Sequence, residues 1–211
     1  MIVKVCGVTD AEVAEAAVSA GADLIGLVFE PRSPRHADDA QARRVACAVG
    51  RGAQLVGVFV EPAAERCMEA AARYGLSAVQ VHGDIDARFV MACDVPVIRG
   101  YNVRSAEDAL TLQWWPDCLL LLDAPAAEGG LPGGTGTRLP RELAAEVARH
   151  RRVILAGGIG ADDVAEAISA VRPHGVDASS RLETAPGRKD PALVREYVTS
   201  ARAAFAGLNG G

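Results

Sequence analysis

Two residues stand where acid–base chemistry could be done. Cys6 closes the apolar run Met1-Ile-Val-Lys-Val-Cys6 and leads into Gly7-Val-Thr-Asp10; Asp123 closes Cys118-Leu-Leu-Leu-Leu-Asp123 and leads into a glycine-rich stretch. A thiolate can take a proton and a carboxylic acid can give one. A free thiol ionises near pH ~8.5, so Cys6 needs a neighbouring cation or a helix N-terminus to act as a base at neutral pH. Asp123 follows Leu119–Leu122, and apolar surroundings raise a carboxyl pKa toward the range useful for an acid. Environments that push two groups in opposite directions are the expected pattern of an acid–base pair. The plainer readings are an inert buried cysteine and, for Asp123, a helix or loop cap.

The pair matters only if the fold brings the two strand ends together. Eight short apolar runs recur along the chain: Ile2–Val5, Leu24–Phe29, Gln54–Val60, Ala78–Val81, Pro96–Ile98, Cys118–Leu122, Val153–Ala156 and Gly175–Ala178. Most do not alternate cleanly, as expected of parallel strands buried on both faces. The stretches between them carry helical periodicity, for example Val13, Ala17 and Ala20. Asp10 with Glu12 and Asp38 with Asp39 read as helix caps with first-turn acids, and Pro62 as a first-turn proline. Gly21, Gly50 and Gly75 fit helix ends. Eight strand–helix units in 211 residues predict an α/β fold, a single (β/α)8 TIM barrel over residues 1–205. The tail Ala206–Gly211 reads as frayed. An open doubly wound sheet is the alternative, but its usual Gly-x-Gly-x-x-Gly after the first strand is missing.

Composition narrows the function. Apolar residues make up 50% and charged residues 23% of the chain, ordinary for a globular domain able to bury a core. A net charge of −5 leaves no general nucleic-acid footprint. No apolar run approaches the roughly 20 residues that cross a membrane, and the first residues enter a strand rather than a signal peptide. The five cysteines include no Cys-x-x-Cys pair, which points to a reducing cytoplasm. Monomer and homodimer are both open.

In barrels of this kind the active site lies at the C-terminal ends of the strands. There the chain places Cys6, Arg35-His36, Gln80-Val-His82-Gly83, Arg99-Gly100, Asp123, Gly157-Gly158 and Asp177-Ala-Ser179-Ser180-Arg181. The set Lys4-Val-Cys6-Gly-Val-Thr9, Gly57-Val-Phe-Val60, Gln80-Val-His82-Gly83, Gly133-Gly-Thr-Gly136, Leu155-Ala-Gly-Gly158 and Val176-Asp-Ala-Ser-Ser180 with Pro186-Gly-Arg-Lys-Asp190 resembles the phosphoribosylanthranilate isomerase family, in order and over nearly the whole chain. The resemblance implies an Amadori rearrangement in tryptophan biosynthesis, with no metal and no cofactor. It implies Cys6 as general base, Asp123 as general acid, and Arg35 as partner of the anthranilate carboxylate. His82 would line the substrate pocket or serve the structure. Backbone N–H groups at Gly157-Gly158 and Ser179-Ser180 suit a phosphate, and Gly134 and Thr135 would reach it from a lid holding Gly129 to Gly136.

Two departures from the family pattern stand out. Arg181-Leu182 replaces the usual Gly-Val after the paired serines, and Thr137-Arg-Leu-Pro140 lacks the usual aromatic–acidic pair. Arg181 is expected at the rim of the phosphate site with its guanidinium able to approach the phosphate. Glycine is often kept where φ must be positive, so either the backbone at Arg181 is not left-handed or arginine is tolerated there. Other sugar-phosphate epimerases or lyases of the same fold would want a metal cluster or an inward lysine at a strand end; Lys4 lies two residues too deep and Lys189 is on the approach to a helix. A non-catalytic sugar-phosphate-binding barrel is the remaining reading. The remaining cysteines, Cys47, Cys67, Cys93 and Cys118, read as packing, and Trp114-Trp115 as a cap at the far end of the barrel.

One expectation comes from strand periodicity alone. Side chains two apart share a strand face, so if Cys6 points into the barrel, Lys4 points inward one layer below. A buried lone ammonium is very costly. The last strand closes against the first and carries Asp177, so Lys4 and Asp177 should form a buried ion pair beneath the site, with Lys4 helping to keep Cys6 ionised.

Overall fold

The computed structural model describes residues 1–103, 105–112, 115–123 and 139–209. Eight parallel strands, β1 (Ile2–Cys6), β2 (Leu24–Val28), β3 (Gln54–Val60), β4 (Ala78–His82), β5 (Val97–Asn102), β6 (Leu119–Asp123), β7 (Val153–Leu155) and β8 (Gly175–Ala178), close in sequence order into a barrel. Helices α1 (Ala11–Ala20), α2 (Asp39–Val49), α3 (Ala64–Tyr74), α4 (Ala87–Met91), α5 (Ala106–Leu112), α6 (Arg141–Ala148), α7 (Val164–Val171) and α8 (Pro191–Asn209) follow the strands. Closure pairs Lys4 with Asp177 and Val3 with Val176 across β1 and β8. Between β8 and α8 lie a 3-10 turn at Ser180–Leu182 and a small antiparallel hairpin, β9 (Glu183–Ala185) and β10 (Arg188–Lys189).

Local chemistry sets these boundaries. Asp10 accepts from the backbone N–H of Glu12, and Asp38 forms a capping box with Gln41, satisfying N–H groups that a helix start leaves open. Gly21 and Gly75 end their helices in the left-handed conformation (φ 96° and 68°), where a Cβ would be strained. Pro62 falls before the N-cap Ala63 rather than in the first turn of α3. Helix α8 runs through Asn209, and Val198, Ala201 and Phe205 bury one face of it. Strand β5 also reaches beyond its apolar run, to Asn102, because Leu119–Asp123 pair with it residue by residue.

Burial divides the core. Val3, Val5, Ile25, Leu27, Leu120 and Leu122 face the helix layer. Inside the barrel, Leu24, Val56, Ala78, Ile98, Leu121 and Ile154 fill the N-terminal end, while Cys6, Val28 and Val58 cluster at the other. Cys67 and Cys118 are buried, but Cys47 is exposed, so that cysteine is no packing residue: it lies on the solvent side of α2. Among the described residues no helix is long and apolar enough to cross a membrane.

Candidate active site

Period-two alternation carries the inward face of each strand upward from the apolar layer to its C-terminal end. On β1 that face reads Ile2, Lys4, Cys6; on β4 Ala78, Gln80, His82; on β5 Ile98, Gly100, Asn102; on β6 Leu119, Leu121, Asp123. Cys6 and Asp123 are buried, at 7% and 6% exposure, and both stand at strand ends on the same face of the barrel. Asn102 is paired in register with Asp123, and its buried Oδ1 has no hydrogen-bond partner among the described residues.

The floor under Cys6 is charged. Lys4 is fully buried and its Nζ lies 3.0 Å from Asp177 Oδ1, as strand periodicity predicts. Neither atom has a hydrogen bond of good geometry, so the contact is ionic. Burial pushes the Lys4 ammonium down, but Asp177 and then Cys6 outweigh it and hold its pKa above 10.5. Burial likewise lifts the Asp177 carboxyl above its ordinary value, against the pull of Lys4. Gly26 makes room for both neighbours: a Cβ there would stand 2.8 Å from the Cys6 sulfur and 3.3 Å from Lys4 Nζ.

Lys4 acts on Cys6 in the expected direction, but it is opposed. Burial raises the Cys6 pKa, the Asp177 charge raises it further, and the opposing pull of Lys4 and Lys189 does not cancel them. A desolvated site penalises a lone anion more than two nearby cations relieve it.

His82 is buried and its pKa is lowered to about 3, by desolvation first and then by the charges of Lys4 and Arg99. It is therefore a neutral imidazole. Gln80 Nε2 lies 2.7 Å from His82 Nε2; donation by the amide makes Nε2 the acceptor and leaves the ring proton on Nδ1. The ring lies across Gly100, where a side chain would collide with it. Behind them Arg99, only 6% exposed, donates to the carbonyls of Val81, Gly83 and Gly100 and faces the rings of Tyr101 and Trp115. It ties the tops of β4 and β5 together. A cavity of about 360 Å³ opens beside His82, Gly100 and Asn102.

The other expected anion donors fall on adjacent strands. Gly157 and Gly158 follow β7 with φ of 87° and 70°, a left-handed backbone that favours glycine. Ser179 and Ser180 follow β8, and Ser179 Oγ donates to the Cys6 carbonyl over 3.0 Å. Arg181 sits in the 3-10 turn, not among the residues with positive φ, so arginine in place of glycine carries no backbone strain. Its Nη2 lies 2.8 and 2.7 Å from the two Asp162 oxygens, across the rim between the two loops. Gly134 and Thr135, the rest of the glycine-rich lid and Trp114 lie outside the described residues.

Arg35 is brought to the mouth from the β2–α2 loop, its stem packed on Gly7, but it is engaged. Its Nε and Nη2 lie 2.7 and 2.9 Å from the two oxygens of Glu183. Lys189 Nζ lies 3.0 Å from Glu183 Oε1 and 3.1 Å from the Ser179 carbonyl. Burial works against the Glu183 charge, but Arg35 and Lys189 hold its carboxyl below the usual range; burial depresses the Lys189 ammonium despite Glu183. The sequence reading gives Glu183 and Asn102 no role and Lys189 only the approach to a helix. The turn signal Ala185-Pro186-Gly187 between them could have found the hairpin.

Residues 3–200 match the family described as N-(5'phosphoribosyl)anthranilate (PRA) isomerase. The chain is 39% identical over 201 residues to N-(5'-phosphoribosyl)anthranilate isomerase of Geobacter metallireducens, covering 95% of this chain and 98% of that one. It is 40% identical over 204 residues to the protein of the same name from Rubrobacter xylanophilus, with the same coverage. The crystal structure of phosphoribosyl anthranilate isomerase from Thermotoga maritima superposes with a TM-score of 0.86 at 32% identity, covering 96% of this chain and all of that one. A structure of phosphoribosyl anthranilate isomerase in complex with reduced 1-(o-carboxyphenylamino)-1-deoxyribulose 5-phosphate gives 0.85 at 30% identity, with the same coverage. A buried thiol and carboxyl at two strand ends of a closed eight-stranded barrel thus occur in a chain that belongs to the N-(5'-phosphoribosyl)anthranilate isomerase family.

Proposed function

We propose that this chain converts N-(5-phosphoribosyl)anthranilate to 1-(2-carboxyphenylamino)-1-deoxyribulose 5-phosphate, a step of tryptophan biosynthesis, with Asp123 as general acid and Cys6 as general base. The single observation that carries the roles is the placement of both groups, buried and inward, at the same open face of the barrel. Asp123 donates its proton to the ring oxygen as the C1′–O bond breaks and the nitrogen lone pair forms the iminium. Cys6, in its thiolate form, then takes the proton from C2′ and becomes the neutral thiol, and the electrons of that C–H bond form the enolamine, which tautomerises to the ketose. The iminium is cationic, so its approach favours the thiolate that burial alone disfavours.

The recognition roles follow the charges. Gly157, Gly158, Ser179 and Ser180 cradle the phosphate, with Gly134 and Thr135 assigned to the same group; Arg181 stands at the rim. Arg35 meets the anthranilate carboxylate, and His82, neutral and held by Gln80, lines the pocket. A guanidinium offers a carboxylate two parallel hydrogen bonds.

Purified protein, with nothing added but buffer, should abolish the fluorescence of phosphoribosylanthranilate with saturable kinetics. Protein that is folded yet leaves the fluorescence unchanged would overturn this reading.

A further inference from the structure

We propose that Glu183 is a positioning residue for the aryl carboxylate: it grips the Nε–Nη2 side of Arg35 and so aims the distal Nη1–Nη2 edge of the guanidinium at the substrate. The proposal rests on the role given to Arg35 above and deepens it.

A guanidinium carries five N–H donors in a rigid plane. Glu183 uses two of them, at 2.7 and 2.9 Å. The unspent donors form a second parallel pair at the tip, the geometry that a second carboxylate needs. Exposure points the same way. The Glu183 and Lys189 side chains are 4% and 2% exposed, whereas Arg35 keeps 13%. The carboxylate is sealed, and of the three side chains Arg35 is the one that keeps contact with solvent.

The grip is itself built in. Lys189 Nζ fixes Glu183 Oε1, and the Gly187 N–H donates to Oε2 over 3.2 Å. Gly187 has φ of 81° and packs so closely on the Pro34 carbonyl that no side chain fits. The hairpin β9–β10 therefore seats against the loop that carries Arg35. On the other side Lys189 reaches the Ser179 carbonyl, and Ser179 Oγ reaches the carbonyl of Cys6. Glu183 links the carboxylate-reading arginine to the strand that carries the base. It also sets the charge: Arg35, Lys189 and Glu183 sum to one positive charge, which one incoming carboxylate neutralises. Without Glu183, two cations would face each other and the guanidinium would lose its fixed plane.

The test measures binding of two probes by calorimetry: reduced 1-(o-carboxyphenylamino)-1-deoxyribulose 5-phosphate and the same compound without its carboxyl group. Glu183→Ala should weaken the carboxylated probe roughly tenfold or more, the scale of a charge-assisted contact, and leave the other within about twofold. Arg35→Met/Glu183→Ala should bind the carboxylated probe no more weakly than Arg35→Met alone. Equal weakening of both probes, an unchanged Kd, or additive effects in the double variant would each overturn the proposal. Glu183→Gln, close in shape, serves if Glu183→Ala does not fold: it should show the same selective loss. Wild type that binds both probes equally would instead defeat the role of Arg35, which separates the two failures.

Discussion

The two ends of the barrel interior are made of the same strands and do opposite work. At the N-terminal end Leu24, Val56, Ala78, Ile98, Leu121 and Ile154 interdigitate with little polar content. Two residues further along, the same faces present Gly26, Val58, Gln80, Gly100, Asp123 and Ala156, with Lys4 and Asp177 between them. One layer stabilises by removing apolar surface from water, and the next spends part of that stability on buried charges. The register of a parallel strand makes this division sharp, since a step of two residues changes the layer but not the face.

If the division is real, substitutions in the two layers must fail differently. Cys6→Ala and Asp123→Asn should each lower kcat by about 10²–10⁴-fold, the usual loss for one general acid or base, while Tm moves little. Leu121→Ala, at a residue 1% exposed, should destabilise the fold by roughly 2–5 kcal/mol and leave kcat of the folded protein nearly intact. Urea titration and steady-state kinetics on the three proteins separate the outcomes. Wild-type turnover in either upper-layer variant would remove that residue from the mechanism.

Lys4 belongs to both layers, so its removal should show both phenotypes. Lys4→Met leaves Asp177 buried without its cation, a change that usually destabilises by about 3–5 kcal/mol. It also removes the largest influence that lowers the Cys6 pKa, so the limb of kcat/KM that rises with pH should move to still higher pH. The stability contributed by the raised pKa of Lys4 is present below its unfolded value of 10.5 and is lost as pH rises through the higher folded value. The variant should therefore differ most from wild type near neutral pH and converge with it in strong alkali. An unchanged pH–rate profile with unchanged stability would place Lys4 outside the site's electrostatics.

What the sequence disclosed, and what it hid, follows from the same geometry. The eight strands were legible because parallel strands buried on both faces read as apolar runs, and the Lys4–Asp177 pair because period-two alternation and barrel closure are rigid constraints. Strand β5 was read short because Arg99, Gly100, Tyr101 and Asn102 carry no apolar pattern; pairing with β6, not propensity, extends it. The pull of Lys4 on Cys6 was legible, but the opposing effect of burial was not, because a sequence shows which charges are near but not how dry the site is. Glu183 stayed unassigned because its partner Arg35 lies 148 residues away, and no local pattern encodes such a contact. For the β7 and β8 loops the glycines and serines were legible, whereas the Arg181–Asp162 contact needed coordinates.

That contact sets the smallest effect. The Arg181 and Asp162 side chains are 38% and 64% exposed, and an ion pair this wet contributes only about 0–1 kcal/mol. Asp162 also offsets most of the charge that Arg181 would offer a phosphate at the rim. Arg181→Gly should therefore raise KM by no more than roughly threefold, with kcat unchanged. The structure adds a finer expectation: Asp162→Asn, which frees the guanidinium, should lower KM by a comparable factor. Both effects depend on charges in contact with water, so both should fade as added salt shortens the screening length from about 10 Å at 0.1 M to about 3 Å at 1 M. Steady-state KM at the two salt concentrations decides it. A large, salt-independent rise in KM for Arg181→Gly would mean that the arginine is a buried phosphate ligand rather than a rim charge, and the 3-10 turn would then belong to the phosphate cradle itself.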